Sequence, residues 1–216
     1  VSYVANSSFV AQRIKRAWDV HASVIYPPVD IERIKASTGE LSEADLELLA
    51  ALPQNFVLGA SRLVPYKNVE AAISAGNILG MPVVLVGTGP DEVRLRRIAE
   101  ESGVPVVFAG RVSNSLLYAI YRRAELFVYM PIEDFGIMPV ESMACGTPVL
   151  VNDVGGAQES VLALKGGCTV GWRNSTFSDR SAIEKAMDAD IRYAASSVSR
   201  FSTSEFEKNI RSWVGA

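Results

Sequence analysis

From residue 56 onward, short apolar runs rich in β-branched residues alternate with segments of helical periodicity, and this rhythm leaves few folds open. FVLGAS (56–61), PVVLVG (82–87), VPVVFAG (104–110), ELFVYM (125–130) and TPVLVN (147–152) are strand-like. Their continuous apolar character marks strands covered on both faces. Between the first two, Val69, Ala72, Ile73 and Gly76 fall on one helical face, and Gly80 closes that helix. A second helix over 91–102 is expected to turn Val93, Leu95, Ile98 and Ala99 inward and to stop at Gly103. SLLYAIYRR and the segment through Glu141 supply two more. Five strands alternating with helices predict an α/β fold built on a doubly wound parallel sheet. Ligands of such sheets bind beyond the carboxyl ends of the strands, so chemistry belongs in the loops after residues 61, 87, 110, 130 and 152.

The chain has 216 residues, 49% of them hydrophobic, enough for one large domain. Its 21 basic residues against 24 acidic ones give no basic excess, which argues against a nucleic-acid partner. The apolar runs are of strand length and none spans a membrane. Only Cys145 and Cys168 occur, with no CxxC, which points to a reducing, cytosolic setting; a disulfide between them stays open at this stage. The single His21 has no partners for a metal cluster and is expected at the surface. Residues 1–30 hold a short strand (VSYVAN), a helix (SFVAQRIKRAW) and an extended ASVIYPPVD that Pro27 and Pro28 keep from turning helical. This stretch is expected to be the last unit of a preceding domain plus a linker. With neither an initiator Met nor a signal sequence, the chain is expected to be cut from something longer. A helix over 41–52 should start at Ser42 with Asp45 closing a capping box and Leu41 stapled to Leu46; Ser202, Glu205, Phe201 and Phe206 repeat the pattern near the end.

Five motifs sit at the predicted binding edge. ASRLVPYKN places Arg62 and Lys67 between a strand and a helix, either as two solvated charges or as a phosphate site that combines a forked donor, a point charge and a helix start. VGTGPDE lacks the third glycine of a dinucleotide fingerprint, because Glu92 stands there; Gly87 and Gly89 then serve a tight turn with Pro90 opening the helix. In AGRVSN, Ser113 or Asn114 is a helix cap, and the backbone is free to meet a flat base. In EDFGIMPVE, Glu133 and Glu141 bracket a turn at Gly136, and Pro139 suits the first turn of a helix carrying Glu141. Such a run can separate the carboxylates by roughly 10 Å, the scale of a diphosphate between a sugar and a ribose; surface pairing with Arg111 or with the first-loop cations is the plainer alternative. Gly155 and Gly156 in GGAQE make a flexible turn, and Glu159 either faces the ligand or occupies the first turn of a helix.

ANSSFVAQRIK…VIYPPVD, SRLVPYKN, VGTGP, GRVS, EDFGIMPVESMACGTPVL and GGAQE, in that order, resemble the C-terminal domain of the group 1 retaining glycosyltransferases of GT-B architecture, over essentially the whole chain. Asp134, where many members carry Pro, together with Pro-Tyr-Lys in the first loop, is similar to the bacterial O-antigen-type mannosyltransferase branch. The resemblance implies a Rossmann-like half of a two-domain enzyme, with residues 1–30 as the end of the acceptor domain and linker and 31–216 as the nucleotide-sugar (donor) domain. The parent enzyme would transfer a hexose with retention of configuration, GDP-mannose being the favoured donor and a UDP-sugar the next. Arg62 and Lys67 would hold the diphosphate, and Glu133 would contact the sugar hydroxyls near the reacting carbon. The backbone of Phe135, Gly136 and Ile137 would lie against sugar and phosphates, Glu141 would bind the ribose, and the Arg111–Val112 backbone would meet the base. No metal or other cofactor is implied. The family's acceptor domain, with its Gly-rich loop and His, is missing, and His21 does not replace it. The fragment alone is therefore expected to be inactive, with the enzyme cytoplasmic and any attachment to the inner membrane face made by the absent domain. Two alternatives are a nucleotide-sugar-binding subunit that needs a partner acceptor domain, and a sugar-nucleotide epimerase, against which the paired glutamates argue.

Overall fold

A run such as VVLV satisfies its backbone in a sheet whose two faces are both covered. The computed structural model, which describes residues 1–37 and 41–215, places it there. A small unit comes first: β1 (Tyr3–Ala5), α1 (Ser8–Trp18) and β2 (Ala22–Val24), with the two strands paired in parallel. After α2 (Ile31–Ala36) and α3 (Glu43–Ala51), the main alternation runs β3 (Val57–Ala60), α4 (Glu70–Leu79), β4 (Val83–Val86), α5 (Glu92–Glu100), β5 (Val106–Gly110), α6 (Asn114–Arg123), β6 (Leu126–Tyr129), α7 (Ile137–Ala144), β7 (Val149–Asn152), α8 (Ala157–Leu164) and β8 (Gly167–Val170). A two-stranded ribbon of β9 (Trp172–Arg173) and β10 (Thr176–Phe177) and the helices α9 (Ser181–Met187), α10 (Ile191–Ser197) and α11 (Thr203–Val214) complete the chain.

The sheet has six parallel strands in the order β5-β4-β3-β6-β7-β8. The predicted architecture is present, with one strand more than expected, because β8 reads GCTV and lacks the apolar run that marked the others. Side chains alternate between two cores with the period of two that a pleat imposes. Leu58, Val84, Phe127 and Val149 point to the face covered by α6, α7 and α8, while Val57, Leu85, Val128 and Leu150 point to the face covered by α4, α5 and α9. Strand order reverses between β3 and β6, so the crevice of such a sheet opens beyond the ends of these two strands.

Several local expectations hold and several do not. Gly80 closes α4 in the left-handed conformation, and Ser42 and Asp45 form the full capping box of α3. Leu41 packs against the core while Leu46 is 53% exposed, away from a staple. Ser202 caps α11, but Glu205 bonds Lys208 and Asn209, and the Ser202 N–H goes to the Ser199 carbonyl, so that box stays half made. α5 ends at Glu100, short of Gly103, whose N–H donates to Asn77. Both cysteines are free thiols. No helix among the described residues is long and apolar enough to cross a membrane.

Val93 is the clearest correction: it is 64% exposed, whereas Leu95 on the same helix is fully buried. Residues two apart on a helix do not share a face. Leu95→Ala is expected to cost about 2–5 kcal/mol and Val93→Ala to stay within about 0.5 kcal/mol, a contrast that urea denaturation of the two variants will read directly.

Candidate functional site

The strands at the point of reversal end in the two loops that carry the predicted charges. Beyond β3, residues 61–64 lead into a single 3-10 turn, Pro65–Lys67, closed by Asn68 in the left-handed conformation. This loop rests on the glycines of the next one. A Cβ on Gly87 would lie 1.8 Å from the Ser61 carbonyl oxygen, and one on Gly89 would lie 2.1 Å from that of Leu63. The contact is closed by Leu63 N–H to Thr88 O and Asp91 N–H to Leu63 O, each 3.0 Å. VGTGP is therefore a tight turn, as expected, whose close approach is to the Arg62 loop.

The loop beyond β6 is seated in the same manner. Gly155 and Gly156, expected to give a flexible turn, instead make a fitted contact. The Gly156 N–H donates to Glu133 O at 2.7 Å, and a Cβ there would come within 1.9 Å of Asp134 O. Asn152 and Asn68 both donate side-chain N–H groups to the Met130 carbonyl, at 3.0 and 3.4 Å, joining the two loops.

Across this junction Lys67 and Glu133 form an ion pair, with side chains 13% and 29% exposed. Arg62 donates to the Tyr66 hydroxyl at 2.9 Å, and the Lys67 ammonium lies 5.1 Å from the Tyr66 ring centre, so Tyr66 separates the two cations. Beside them α7 begins at Ile137, with Gly136 as its cap residue at φ +85° and no side chain bonded to the helix start. Its first N–H groups and dipole favour an anion there. Pro139 occupies the first turn, as predicted. Phe135 contributes only backbone to this edge, because its ring is buried against Tyr26 and Phe201, at 5.5 and 5.6 Å between ring centres. Ile137 stays 43% exposed.

A cleft of about 430 Å³ continues from Arg62 along the ends of β3, β4 and β5. Gly87, Thr88, Arg111 and Val112 line one side, and Leu117 and Met138 reach it from α6 and α7. Arg62 and Arg111 thus share one crevice. Ser113 caps α6 by accepting the Leu116 N–H, and Asn114 is the first residue of the helix.

Glu141 lies in the second turn of α7, and its carboxylate accepts no hydrogen bond among the described residues. Burial pushes its carboxyl above the ordinary range. The Tyr129 hydroxyl is also held high, by burial first, then by the charges of Glu133 and Glu141 together with Tyr66, so it stands in the field of both carboxylates. Burial pushes the Cys145 thiol up to about 12, which makes it a poor nucleophile.

Glu159 occupies the first turn of α8, one of the two places expected of it, but its carboxylate serves another helix. Its two oxygens accept the Ser8 and Phe9 N–H groups at the start of α1, both at 2.8 Å, and the Tyr26 hydroxyl at 3.2 Å. Asp134 pairs with Arg13 of α1 at 2.8 Å. His21 is exposed and lies outside the cleft. Among the described residues no three His, Cys, Asp or Glu side chains gather as a metal site requires. Sequence reasoning missed Thr88, Leu117, Met138, Tyr66 and Tyr129; the two tyrosines had a signal, lying on the predicted loop and on the strand that feeds the Glu133 loop.

The family model Glycosyl transferases group 1 matches residues 43–187. The GDP-mannose-dependent alpha-(1-6)-phosphatidylinositol monomannoside mannosyltransferase of Mycobacterium tuberculosis is 29% identical over 210 residues, which cover 90% of this chain and 54% of that protein. The serotype-specific mannosyltransferase WbdA of Escherichia coli is 29% identical over 161 residues, 66% of this chain and 19% of the other. The crystal structure of Anabaena Alr3699/HepE in complex with UDP superposes with a TM-score of 0.78 at 24% identity, covering 99% of this chain and 63% of that one. The chain thus spans about half the length of the mycobacterial relative, and its fold is that of one half of such a two-domain structure.

The raised carboxyl of Glu141 has a thermodynamic signature. The native state holds this proton more tightly than the unfolded chain, so stability is lost as pH climbs from the ordinary glutamate value through the raised one. Glu141→Gln is expected to be more stable than the parent at neutral pH, with the gap closing below about pH 4. Denaturation curves across the pH range check this, and a gap that is independent of pH contradicts it.

Proposed function

Because the chain belongs to the group 1 glycosyl transferases, we propose that it is the donor-binding half of an enzyme that moves a hexose, mannose from GDP-mannose first, to an acceptor with retention of configuration. On this reading residues 31–216 bind the donor, and residues 1–30 are the end of the acceptor-binding half and the linker. The observation that carries the reading is the Lys67–Glu133 pair at the point of strand reversal, beside Arg62 and the start of α7.

The roles follow from the chemistry of each group. As the bond between the sugar's anomeric carbon and the diphosphate breaks, negative charge grows on the departing oxygen. Arg62 forks phosphate oxygens, Lys67 supplies a compact charge, and the first N–H groups of α7 add fixed dipoles that need no reorganisation. The arriving phosphate takes over Lys67, and the carboxylate of Glu133, released from it, accepts hydroxyls of the transferred sugar. The backbone of Phe135, Gly136 and Ile137 lines the passage between sugar and phosphates. Glu141, a half-buried carboxylate without a protein donor, accepts the ribose hydroxyls.

The cleft takes the base. Val112, Leu117 and Met138 offer apolar contact to a flat ring, and the Arg111–Val112 backbone lies along its edge. The Arg111 side chain carries donors only, which match the two acceptors O6 and N7 of guanine and oppose the amino group of adenine. This favours a guanosine diphosphate sugar, in line with the name of the mycobacterial relative.

Two measurements test the reading. In the enzyme that includes the acceptor-binding half, Arg62→Ala combined with Lys67→Ala is expected to lower kcat/KM by about 10²-fold or more; an unchanged value overturns the leaving-group role. Calorimetric titration of this chain with GDP, UDP and ADP is expected to find GDP the tightest. Arg111→Ala should weaken GDP by about 1–3 kcal/mol and leave UDP nearly unaffected, and equal losses for all three nucleotides contradict the guanine contact.

A further inference from the structure

Resting on that reading of the site, we propose that Glu159 is a positioning residue that ties α1 to the loop bearing Glu133, so that the seating of residues 1–30 and the grip on the donor's sugar are coupled.

An acid in the first turn of a helix ordinarily serves that helix. Glu159 turns away from α8 and accepts from Ser8 and Phe9, the first two residues of α1, while Ser7 accepts the N–H of Val10, the third. The opening N–H groups of α1 are thereby satisfied, two of them by a carboxylate some 150 residues away in sequence. α1 itself contributes no buried residue, and its two partner strands form a two-stranded sheet, which is too small to hold together alone. The Arg13–Asp134 pair is exposed on both sides and adds little. Glu159 is therefore the principal polar tie between this unit and the sheet domain.

The contacts close a circuit that passes through the site. Two residues before Ala157 opens α8, the Gly155–Gly156 turn rests on the Glu133–Asp134 backbone, where Gly156 donates to Glu133 O at 2.7 Å. From Asp134 the path returns to α1 through Arg13. Tyr26, which donates to Glu159, stacks on Phe135, the residue between Asp134 and the Gly136 turn. Burial and the neighbouring Glu159 charge hold the Tyr26 phenol protonated, as a donor must be. Displacing α1 thus loosens the Glu133 loop through Tyr26 at Phe135 and through α8 at Gly156, with the exposed Arg13–Asp134 pair a minor third contact. By linkage, a sugar that fixes Glu133 must stabilise the seating of α1 by the same factor.

The test uses this chain with Glu159→Ala and Glu159→Gln, the latter keeping a single acceptor oxygen. Amide hydrogen exchange is followed at Ser8 and Phe9, at Phe135–Ile137, and at Phe127–Val128 in the core as a control for global unfolding. Affinities are measured for GDP and GDP-mannose. The expected result is faster exchange at both Ser8–Phe9 and Phe135–Ile137 with the core unchanged, and a drop of about fivefold or more in the advantage of GDP-mannose over GDP, with GDP itself within twofold of the parent. Glu159→Gln should fall between the parent and Glu159→Ala. Faster exchange confined to Ser8–Phe9, with the sugar advantage intact, makes Glu159 a plain helix cap and overturns the proposal. If the parent binds neither nucleotide, the donor reading fails, and the exchange at Phe135–Ile137 still decides the coupling.

Discussion

Parallel strands cannot be joined by a hairpin, and that constraint organises everything else in this molecule. Each sheet strand from β3 to β7 is followed by a helix that carries the chain back over one face, so these strand-to-helix loops emerge on the same edge. Where the winding changes direction, the helices on either side diverge and the loops beyond β3 and β6 are left facing one another. Lys67 and Glu133 lie on those two loops. Their meeting is a consequence of topology, and the remaining features of the site refine it.

The refinement is done with backbone. Gly87 and Gly89 let one loop settle on the Arg62 segment, and Gly155 and Gly156 let another settle on the Glu133 segment. A side chain at Gly87, Gly89 or Gly156 would collide with a carbonyl oxygen, and Gly155 stands at φ +110°, where side chains are strained. The charged residues are thus presented from loops supported by main-chain contact from below, which limits their wandering without using side chains that would crowd a ligand. The departure from a dinucleotide fingerprint in VGTGP fits this role, since only the two glycines in contact are needed.

The strands were legible because a strand covered on both faces must be a continuous apolar run, as VVLV and LFVY are. β8 escaped notice because a Gly-Cys-Thr-Val edge strand carries no such run. Val93 was misplaced because apolar character was counted without its angular position, although a spacing of two from Leu95 already placed it on another face. The places of Arg62, Lys67, Glu133 and Arg111 in loops beyond the strand ends followed from the alternation of strands and helices alone. The partners of Glu159 did not, because nothing local distinguishes an acid that serves its own helix from one that serves another far along the chain. Glu205 shows the converse: the Ser-x-x-Glu pattern was present, but neighbouring Lys208 and Asn209 took its oxygens.

The half-buried Lys67–Glu133 contact also bears on discrimination. On the donor-binding reading, a resident carboxylate already occupies the place of the incoming anion, so entry is an exchange of partners. A small inorganic anion would have to evict that half-buried carboxylate and offer it nothing in return. A molecule that brings hydroxyl groups along with its phosphates compensates the evicted acid in the same event. On that reading the lock answers to two keys turned together, a phosphate for Lys67 and a hydroxyl for Glu133.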